Sequence, residues 1–266
     1  MRKGTRRILF WIAAVVFVVA SWAAIRYAQG YAYDFDTGAF VRTGAVAVTV
    51  STEATLYIDD VKSGTTSFIG NRTGKEGLLP GIYSLRVARE DYTTWQKNVA
   101  VEEGRLTDFP NVLILPTDDA SLLSLKEEAS DSLSEAKTLQ QANPRSTLTP
   151  LRIQDGDFAL QENNLFDTRT ASPSLIAENV LGFAHTKDQS RVLWWTRNEV
   201  WVLWLRNTDQ QPYRVEGERQ AITRFSVRIL GASWFRDTEH IVVDLGNQSY
   251  RVIEIDARGG TNIIKL

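Results

Sequence analysis

The sequence predicts an all-β protein carried by one N-terminal transmembrane helix, with an amphipathic helix between its two β regions. Three observations carry this prediction. Residues 8–25 are free of charge and mostly aliphatic. Residues 43–117 alternate apolar and polar positions between turn residues, which is typical of short strands. Beyond residue 151 a second strand pattern begins, and it repeats after 49 residues, from Val180 to Ile229.

Composition excludes several classes of function. A chain of 266 residues holds one or two domains beside an anchor. The net charge of −2 provides no basic field, so we expect no nucleic-acid partner. The chain has no Cys, which removes disulfides, thiolate catalysis and Cys-ligated metals together.

Residues 1–28 are predicted to form a cytoplasmic tip and a membrane anchor. The 18 residues 8–25 span roughly 27 Å as a helix, close to the hydrocarbon thickness of a bilayer. Trp11 and Trp22 lie near the two ends, as aromatic rings do at a membrane interface. Four basic residues within residues 1–7 predict a cytoplasmic N-terminus. We therefore expect a single-pass protein of the cell membrane with the bulk of the chain extracytoplasmic.

Two other interpretations of the apolar run are open. A cleaved signal peptide would need small residues at its cleavage site, and the bulky Trp22 occupies that region. A buried helix of a soluble protein would need a polar face, which is absent. Both observations favour an uncleaved anchor.

Residues 29–42 are predicted to be a short stalk. Asp34 and Asp36 flank Phe35, and two carboxylates at this spacing suggest either a cation site or a solvated acidic linker. No third or fourth ligand is near in sequence, which favours the linker.

Residues 43–117 are predicted to form a small antiparallel β-sandwich. The alternating segments are residues 44–50, 55–60, 82–87, 99–101 and 112–115. Pro80-Gly81 suits a type II turn, which predicts a positive φ at Gly81. On this basis Gly81→Val would cost on the order of 1–3 kcal/mol of stability.

This segment resembles the PEGA domain, a bacterial and archaeal surface module. The resemblance rests on three spaced groups, which are Leu79-Pro80-Gly81 with Tyr83, Asp91-Tyr92 with Trp95, and Tyr57-Ile58-Asp59 followed by Gly64 and Thr66. The chain departs from the family at the Pro-Glu-Gly-Ala turn, where it has Ser51-Thr52-Glu53-Ala54. The resemblance implies a β-sandwich on the cell surface and no shared catalytic residues.

Residues 118–150 are predicted to be a helical linker. Apolar residues recur at helical spacing, at Leu122, Leu125, Ala129, Leu133, Ala136 and Leu139 or Gln140. Asp118 and Asp119 place negative charge at the helix start, and Asn143-Pro144 ends the pattern. Ala at two seam positions favours a spacer helix over a coiled coil. We expect the apolar stripe to dock against the β region, because it is spare apolar surface.

Residues 151–266 carry the repeat. Val180-Leu181-Gly182-Phe183-Ala184 matches Ile229-Leu230-Gly231-Ala232-Ser233, and further matches at the same offset are Asp188 with Asp237, Val192 with Ile241, Asn198 with Asn247 and Trp201 with Tyr250. Equivalent positions should be buried alike. We therefore expect Val192 and Ile241 to be equivalent core residues, and Trp201 and Tyr250 likewise.

The repeat resembles the WD-like blades of periplasmic Tol-type β-propellers, although no Trp-Asp dipeptide is present. It predicts one incomplete and two full units of a propeller-like region, fewer than the four to eight blades of a closed ring. Three explanations stay open. The coding region continues past Leu266, the units pack on the helix and on each other, or chains associate.

The sequence contains no catalytic constellation and no pattern of a metal or cofactor site. His185 and His240 fall at strand ends or turns, where His is usually a surface or capping residue. The candidate binding surface is a group of four indoles, Trp194, Trp195, Trp201 and Trp204. Because neighbouring strand positions point to opposite faces, these four cannot share one platform. They either bind carbohydrate or peptide, or pack between the repeats.

The sequence thus predicts a non-enzymatic, membrane-anchored binding or structural protein. Its expected partners are the lipid bilayer through residues 8–25 and either an envelope polysaccharide or a protein. An alternative is a ligand-sensing or accessory subunit of a membrane complex. A third interpretation, an envelope hydrolase, would need carboxylates gathered in one cleft.

Overall fold

The computed structural model describes residues 3–67, 69–138 and 152–266. It is rich in strands, with one N-terminal apolar helix and several separate open sheets. The chain divides into two compact units. The first comprises Met1–Val87 and Asn98–Val112, and the second comprises Ala88–Lys97 and Leu113–Leu266.

The first unit begins with helix α1, Lys3–Ala28. Its segment Arg6–Ala28 is long and apolar enough to span a membrane, and none of its most apolar window is buried in the protein. Exposed aliphatic and aromatic side chains surround the helix, which leaves no polar face to meet water. The predicted N-terminal apolar helix is confirmed, and its length and composition are compatible with a single membrane span.

The predicted stalk is a β-hairpin of β1, Tyr31–Asp34, and β2, Ala39–Arg42. Gly38 closes its turn with a φ of 68°, which favours glycine. The Asp34 carboxylate accepts hydrogen bonds from the Asp36 N–H and the Thr37 hydroxyl, at 2.9 and 2.7 Å.

Two further sheets have the orders β6-β3-β9 and β5-β4-β7-β8. Most of their residues belong to the first unit, while residues 88 and 95–97 belong to the second. Their strands are β3 Gly44–Val50, β4 Thr55–Ile58, β5 Val61–Thr65, β6 Arg72–Leu78, β7 Gly81–Ala88, β8 Trp95–Val101 and β9 Leu106–Val112. The expectation of a purely antiparallel module is wrong, because β3 and β9 pair in parallel. The long chain between these two strands permits the crossover that a parallel pair requires.

Three local predictions in this region are corrected. Gly81 is not at positive φ but begins β7, and an added Cβ would meet the Tyr83 ring at an ordinary 3.7 Å, so the predicted cost of Gly81→Val has no basis. The sequence of residues 64–67 predicts a loop, but Gly64 and Thr65 belong to β5. The last strand ends at Val112 rather than at Leu115.

The second unit contains three consecutive antiparallel meanders. The first meander is β11 Arg152–Asp155, β12 Phe158–Gln161, β13 Asn164–Asp167 and β14 Ser174–Ala177; the second is β15 Gly182–His185, β16 Arg191–Trp195, β17 Glu199–Trp204 and β18 Arg219–Arg224; the third is β19 Gly231–Trp234, β20 His240–Asp244, β21 Tyr250–Glu254 and β22 Ile263–Lys265. A short strand β10, Lys137–Thr138, extends the second meander beside β15. The first of the three repeats therefore has four strands, so the prediction of one incomplete repeat is wrong.

The repeat is visible in the structure, with one change of register. Strands β15 and β19 coincide after 49 residues, as do β16 and β20. Val192 and Ile241 are both fully buried, which confirms the first predicted pair of equivalent core residues. The second pair is wrong. Trp195 pairs with Val200 whereas Asp244 pairs with Tyr250, so the third meander has one more turn residue and Tyr250 corresponds to Val200.

Apolar side chains fill the spaces between the meanders. One core cluster joins the first and second meanders, and it includes Phe158, Leu165, Phe183, Val192 and Trp194. Another joins the second and third, and it includes Leu193, Trp195, Trp204, Ile241 and Ile253. Neighbouring residues such as Trp194 and Trp195 thus point to opposite faces, as the period of a strand requires.

Helix α2, Asp119–Ser134, covers the outer face of the third meander. Its residues Leu125 and Ala129 are buried against Phe235, Val242 and Val252, which confirms the predicted docking. Asp118 caps the helix by accepting a hydrogen bond from the Ser121 N–H at 2.9 Å.

The helix is shorter than predicted. Ala136 lies beyond its end, buried between the second and third meanders, and the next two residues pair with β15. The burial of Ala136 and the pairing of the next two residues therefore end α2 before the predicted stop. The predicted stripe positions Leu139 and Gln140, the stop at Asn143-Pro144 and the loop at 145–150 lie outside the described residues.

A buried ion pair holds the segment Ala88–Lys97 in the second unit. The Lys97 ammonium lies 3.2 Å from a carboxylate oxygen of Glu254 and donates to the carbonyl of Asp256. The other Glu254 oxygen accepts from the Trp95 indole N–H and from the Asn262 amide, each at 3.0 Å. Burial raises the pKa of Glu254, and the Lys97 charge opposes that rise.

Candidate ligand-binding cleft

The four predicted indoles serve mainly as core residues. Trp194, Trp195 and Trp204 are at most 3% exposed. Trp194 stacks on the partly buried Trp201 with ring centroids 6.1 Å apart, while Trp195 and Trp204 belong to the opposite face. The structure therefore brings them together in two pairs on two faces. A ligand-binding role for these residues stays a prediction.

A cleft of about 750 Å³ lies elsewhere in the second unit, between α2 and the ends of three strands. These strands are the first strands of the three meanders, and they end near Asp155, His185 and Trp234. Because the three meanders share one strand order, the ends of their first strands meet at one edge. The cleft is therefore lined by equivalent positions of the three repeats. Because His185 and Trp234 hold the same place in the repeat, the sequence could have indicated that they line one site.

The floor of the cleft is held by contacts between the meanders. The His185 Nε2 lies 3.2 Å from a carboxylate oxygen of Asp155, which joins the first and second meanders. The Trp234 indole N–H donates to the Ala184 carbonyl at 3.2 Å, which joins the second and third. Trp234 and His185 are each partly exposed, so they present aromatic surface to the cleft while their polar atoms are engaged.

The wall formed by α2 is fixed by a bidentate ion pair. The Arg236 guanidinium donates to both carboxylate oxygens of Glu128, at 2.8 and 2.6 Å. This bond raises the pKa of Arg236. A fork-to-carboxylate contact fixes the rotation of α2 as well as its distance from the meander.

The same wall carries an excess of negative charge. Glu127, Asp131 and Glu135 follow one another at four-residue spacing and line the cleft. Within the described part of the chain, these three carboxylates have no ion-pair partner. Lys187 and Arg236 are the basic residues of the lining, and Arg236 is already bonded to Glu128. The electrostatic potential of the cleft is therefore negative, which favours a cationic ligand.

The other histidine has a structural role. His240 begins β20, is 3% exposed, and contacts a carboxylate oxygen of Asp237 at 2.8 Å through Nδ1. Asp237 also accepts from the His240 backbone N–H at 2.8 Å, as a turn-capping residue does. Among the residues described, no group of three or more His, Cys, Asp and Glu side chains is placed to hold a metal ion.

Sequence reasoning missed the cleft because its two walls come from distant segments. The carboxylates of α2 look like a solvated helix face when the sequence is read alone. No family model and no curated protein matches the chain. The resemblances to the PEGA domain and to WD-like propeller blades therefore remain predictions.

Proposed function

We propose that this protein is a membrane-anchored binding protein that takes a cationic segment of another protein in the cleft beside α2. The observation that carries the proposal is the cleft itself, with three uncompensated carboxylates on the α2 wall and the Trp234 and His185 rings on the floor. A carboxylate row binds ammonium or guanidinium groups, and an indole face binds the same groups through cation–π contact. The proposed function requires no chemical step.

The anchor and the charge distribution support a location outside the cytoplasm. Arg6 and Arg7 precede the apolar part of α1, together with Arg2 and Lys3 in the sequence. A positive flank is retained in the cytoplasm, which sends the remainder of the chain across the membrane. The PEGA-like segment fits this arrangement, since that family displays its modules on the cell surface.

The charge of the cleft favours a protein segment over an envelope polysaccharide. A neutral glycan would gain nothing from three carboxylates and would leave them unpaired. A Lys-rich or Arg-rich peptide would pair with them while its stems pack on the aromatic floor. Such binding is electrostatic in part, so it should weaken as salt rises.

The test measures peptide binding to the full chain in detergent or nanodiscs. The probes are a fluorescent Lys-rich peptide, a Glu-rich peptide of equal length and a neutral N-acetylglucosamine oligomer. The variant Glu127→Gln/Asp131→Asn/Glu135→Gln should weaken binding of the Lys-rich peptide at least about tenfold, which equals roughly 1.4 kcal/mol.

The matched control removes three exposed carboxylates outside the cleft, in the variant Glu76→Gln/Glu90→Gln/Glu162→Gln. It changes the net charge equally, so it should bind the Lys-rich peptide like the unmodified protein. Equal losses in the two variants would mean that net charge, not the cleft, attracts the peptide. Preference for the Glu-rich peptide or for the neutral oligomer would overturn the assignment of a cationic ligand.

A further inference from the structure

Four aromatic side chains form a continuous patch where α1 meets the β1–β2 hairpin. We name Trp22, Tyr33, Phe35 and Phe40 the aromatic foot. The Phe40 ring contacts both Trp22 and Tyr33 edge to face, with centroids 5.2 Å apart in each pair. Tyr33 contacts Phe35 in the same manner at 5.1 Å. The patch therefore runs from the helix to the tip of the hairpin.

The aromatic foot is exposed to an unusual degree. Phe35 is 88% exposed, Trp22 is 48% exposed, and the other two rings are each at least 40% exposed. A contiguous exposed patch of large apolar rings normally marks a surface that contacts a partner or a membrane.

The hairpin folds back along the helix rather than leading away from it. Gly30 turns the chain with a φ of 80°, and its carbonyl accepts from both the N–H and the hydroxyl of Thr43, at 2.8 and 2.9 Å. These bonds close the base of the hairpin at the helix end. Phe40 then reaches Trp22, six residues before Ala28, which lies about 9 Å back along the helix axis.

The polar groups of the hairpin suit the headgroup layer and not the hydrocarbon. The Asp34 and Asp36 carboxylates need water or cations around them, and the outer edges of a two-stranded hairpin leave backbone groups unpaired. The Arg26 guanidinium lies 5.8 Å from the centroid of the Trp22 ring and 5.0 Å from that of the Tyr31 ring. A guanidinium beside interfacial aromatic rings is suited to pair with a phosphate of the headgroup layer.

We infer that the aromatic foot lies in the interfacial layer of the same bilayer that α1 spans, between the headgroups and the acyl chains. The partner is lipid, because the patch is continuous with the membrane-spanning surface of α1 and combines aromatic rings with an arginine as interfacial anchors do. The inference rests on the proposed membrane anchor. It assigns to residues 31–42 the role of a second, shallow contact that fixes the helix end at the interface.

The absence of Cys from the sequence makes the test direct, since one introduced Cys is the only site for a thiol-reactive dye. Three full-length variants are labelled with an environment-sensitive dye: Phe17→Cys within α1, Asp36→Cys at the hairpin tip and Lys62→Cys on exposed β5. Each is placed in phosphatidylcholine vesicles that carry a nitroxide at a shallow or a deep acyl position. The Asp36→Cys label should be quenched by the shallow nitroxide, the Phe17→Cys label by the deep one, and the Lys62→Cys label by neither.

The outcomes separate the inference from the anchor it depends on. Quenching at position 17 with none at position 36 would overturn the aromatic foot and leave the anchor standing. Loss of quenching at position 17 would instead overturn the anchor. If the label at position 36 is shielded from water but not quenched by lipid, and the shielding falls as protein is diluted into lipid, a second copy covers the patch and the inference fails.

A matched pair of variants tests the rings themselves. Phe35→Ser/Phe40→Ser in the Asp36→Cys background should reduce the shallow quenching severalfold. Val61→Ser/Ile82→Ser removes two apolar side chains that are at least as exposed as Phe40 but lie outside the patch, and it should leave the quenching unchanged. Equal behaviour of the two variants would contradict a specific role for the aromatic rings.

Discussion

Lys97 is the most informative single residue of the second unit. Its ammonium group is fully buried beside Glu254, and their sequence positions are far apart. A buried charge is tolerated only when it is paired and its remaining hydrogen bonds are made. The Asp256 carbonyl accepts from Lys97 and the Trp95 indole N–H donates to Glu254, which meets this requirement. The pair therefore specifies where the segment carrying Trp95 and Lys97 docks.

The first prediction concerns the loss of one partner. Lys97→Met leaves the Glu254 carboxylate buried without its cation, and we expect a loss of about 3–5 kcal/mol of unfolding free energy. Chemical unfolding of the full chain in detergent, followed by tryptophan fluorescence, measures it. The exposed control Lys62→Met should change the midpoint little.

The double variant Lys97→Met/Glu254→Gln should recover much of that loss. A neutral amide at position 254 still accepts from Trp95 and removes the unpaired charge. A double variant as unstable as Lys97→Met alone would show that the ion pair is incidental and that the volume of the lysine stem matters.

A second residue-scale prediction concerns pH. Burial acts to raise the pKa of Asp188, but hydrogen bonds from Thr186, Ser190 and Arg206 outweigh it and hold that pKa well below the ordinary 3.8. A lowered folded-state pKa contributes stability that is present above the ordinary pKa and is lost as pH falls through the folded one. Asp188→Asn should therefore cost roughly 1 kcal/mol near neutral pH and progressively less below about pH 4.

Thermal unfolding at a series of pH values measures this dependence. Asp209→Asn, at an exposed position in the same meander's β17–β18 connection, is the control and should track the unmodified protein. A cost of Asp188→Asn that stays constant from pH 7 down to pH 3 would contradict the assigned role of the charge.

At the scale of elements, α2 acts as a cover for the third meander. Its buried side carries Leu125 and Ala129, while Leu123 is 66% exposed on the other side. Asp118 caps the start of the helix, and at its end the Glu135 N–H donates to the Leu133 carbonyl. The helix has 16 residues, and isolated helices of about this length are marginal in water. Its stability therefore depends on packing against the meander rather than on its own sequence.

The third prediction uses these two leucines as a matched pair. Leu125→Asp places a carboxylate in the core shared with Phe235 and Val242, and it should cost on the order of 3 kcal/mol or more. It should also expose apolar surface that a hydrophobic dye detects. Leu123→Asp should change stability by only about 0.5 kcal/mol. Dye binding that is equal in the two variants would mean that α2 does not cover the meander.

At the scale of the whole molecule, topology in the membrane determines what the cleft can meet. We expect α1 to insert with its basic flank in the cytoplasm, because Arg6 and Arg7 precede the apolar span and Arg26 is the only charge in the span's last turns. Both β units would then face the extracytoplasmic side, since each follows α1 in the chain.

The fourth prediction tests this orientation. Protease added to intact spheroplasts of an expressing bacterium should digest the chain beyond Arg42 and leave a membrane-bound fragment that contains α1. A cytoplasmic marker protein should stay intact in the same sample. Protection of the β units until the spheroplasts are lysed would reverse the topology.

Features that depend on neighbouring residues were predictable from the sequence. Three such features are the charge-free run of α1, the capping residue Asp118 and the strand alternation of β3. Each has a physical cause that lies within a few neighbouring residues, so the sequence predicts it. The 49-residue repeat could also be recognised in the sequence. The spacing from β15 to β19 is the same as the spacing from β16 to β20. One extra turn residue before Tyr250 changes the register of the third meander. An alignment without gaps therefore paired Tyr250 with the wrong residue.

Contacts between distant segments are visible in the folded structure and in no local stretch of sequence. The parallel pairing of β3 with β9, the contact of Lys97 with Glu254 and the cleft between α2 and the strand ends all join residues far apart in sequence. Their free energy comes from desolvation and pairing at the point of contact, and no local pattern encodes the partner. The acidic face of α2 shows the difference: alone it is an ordinary solvated surface, and it becomes the wall of a binding site only because the helix docks where three strands end.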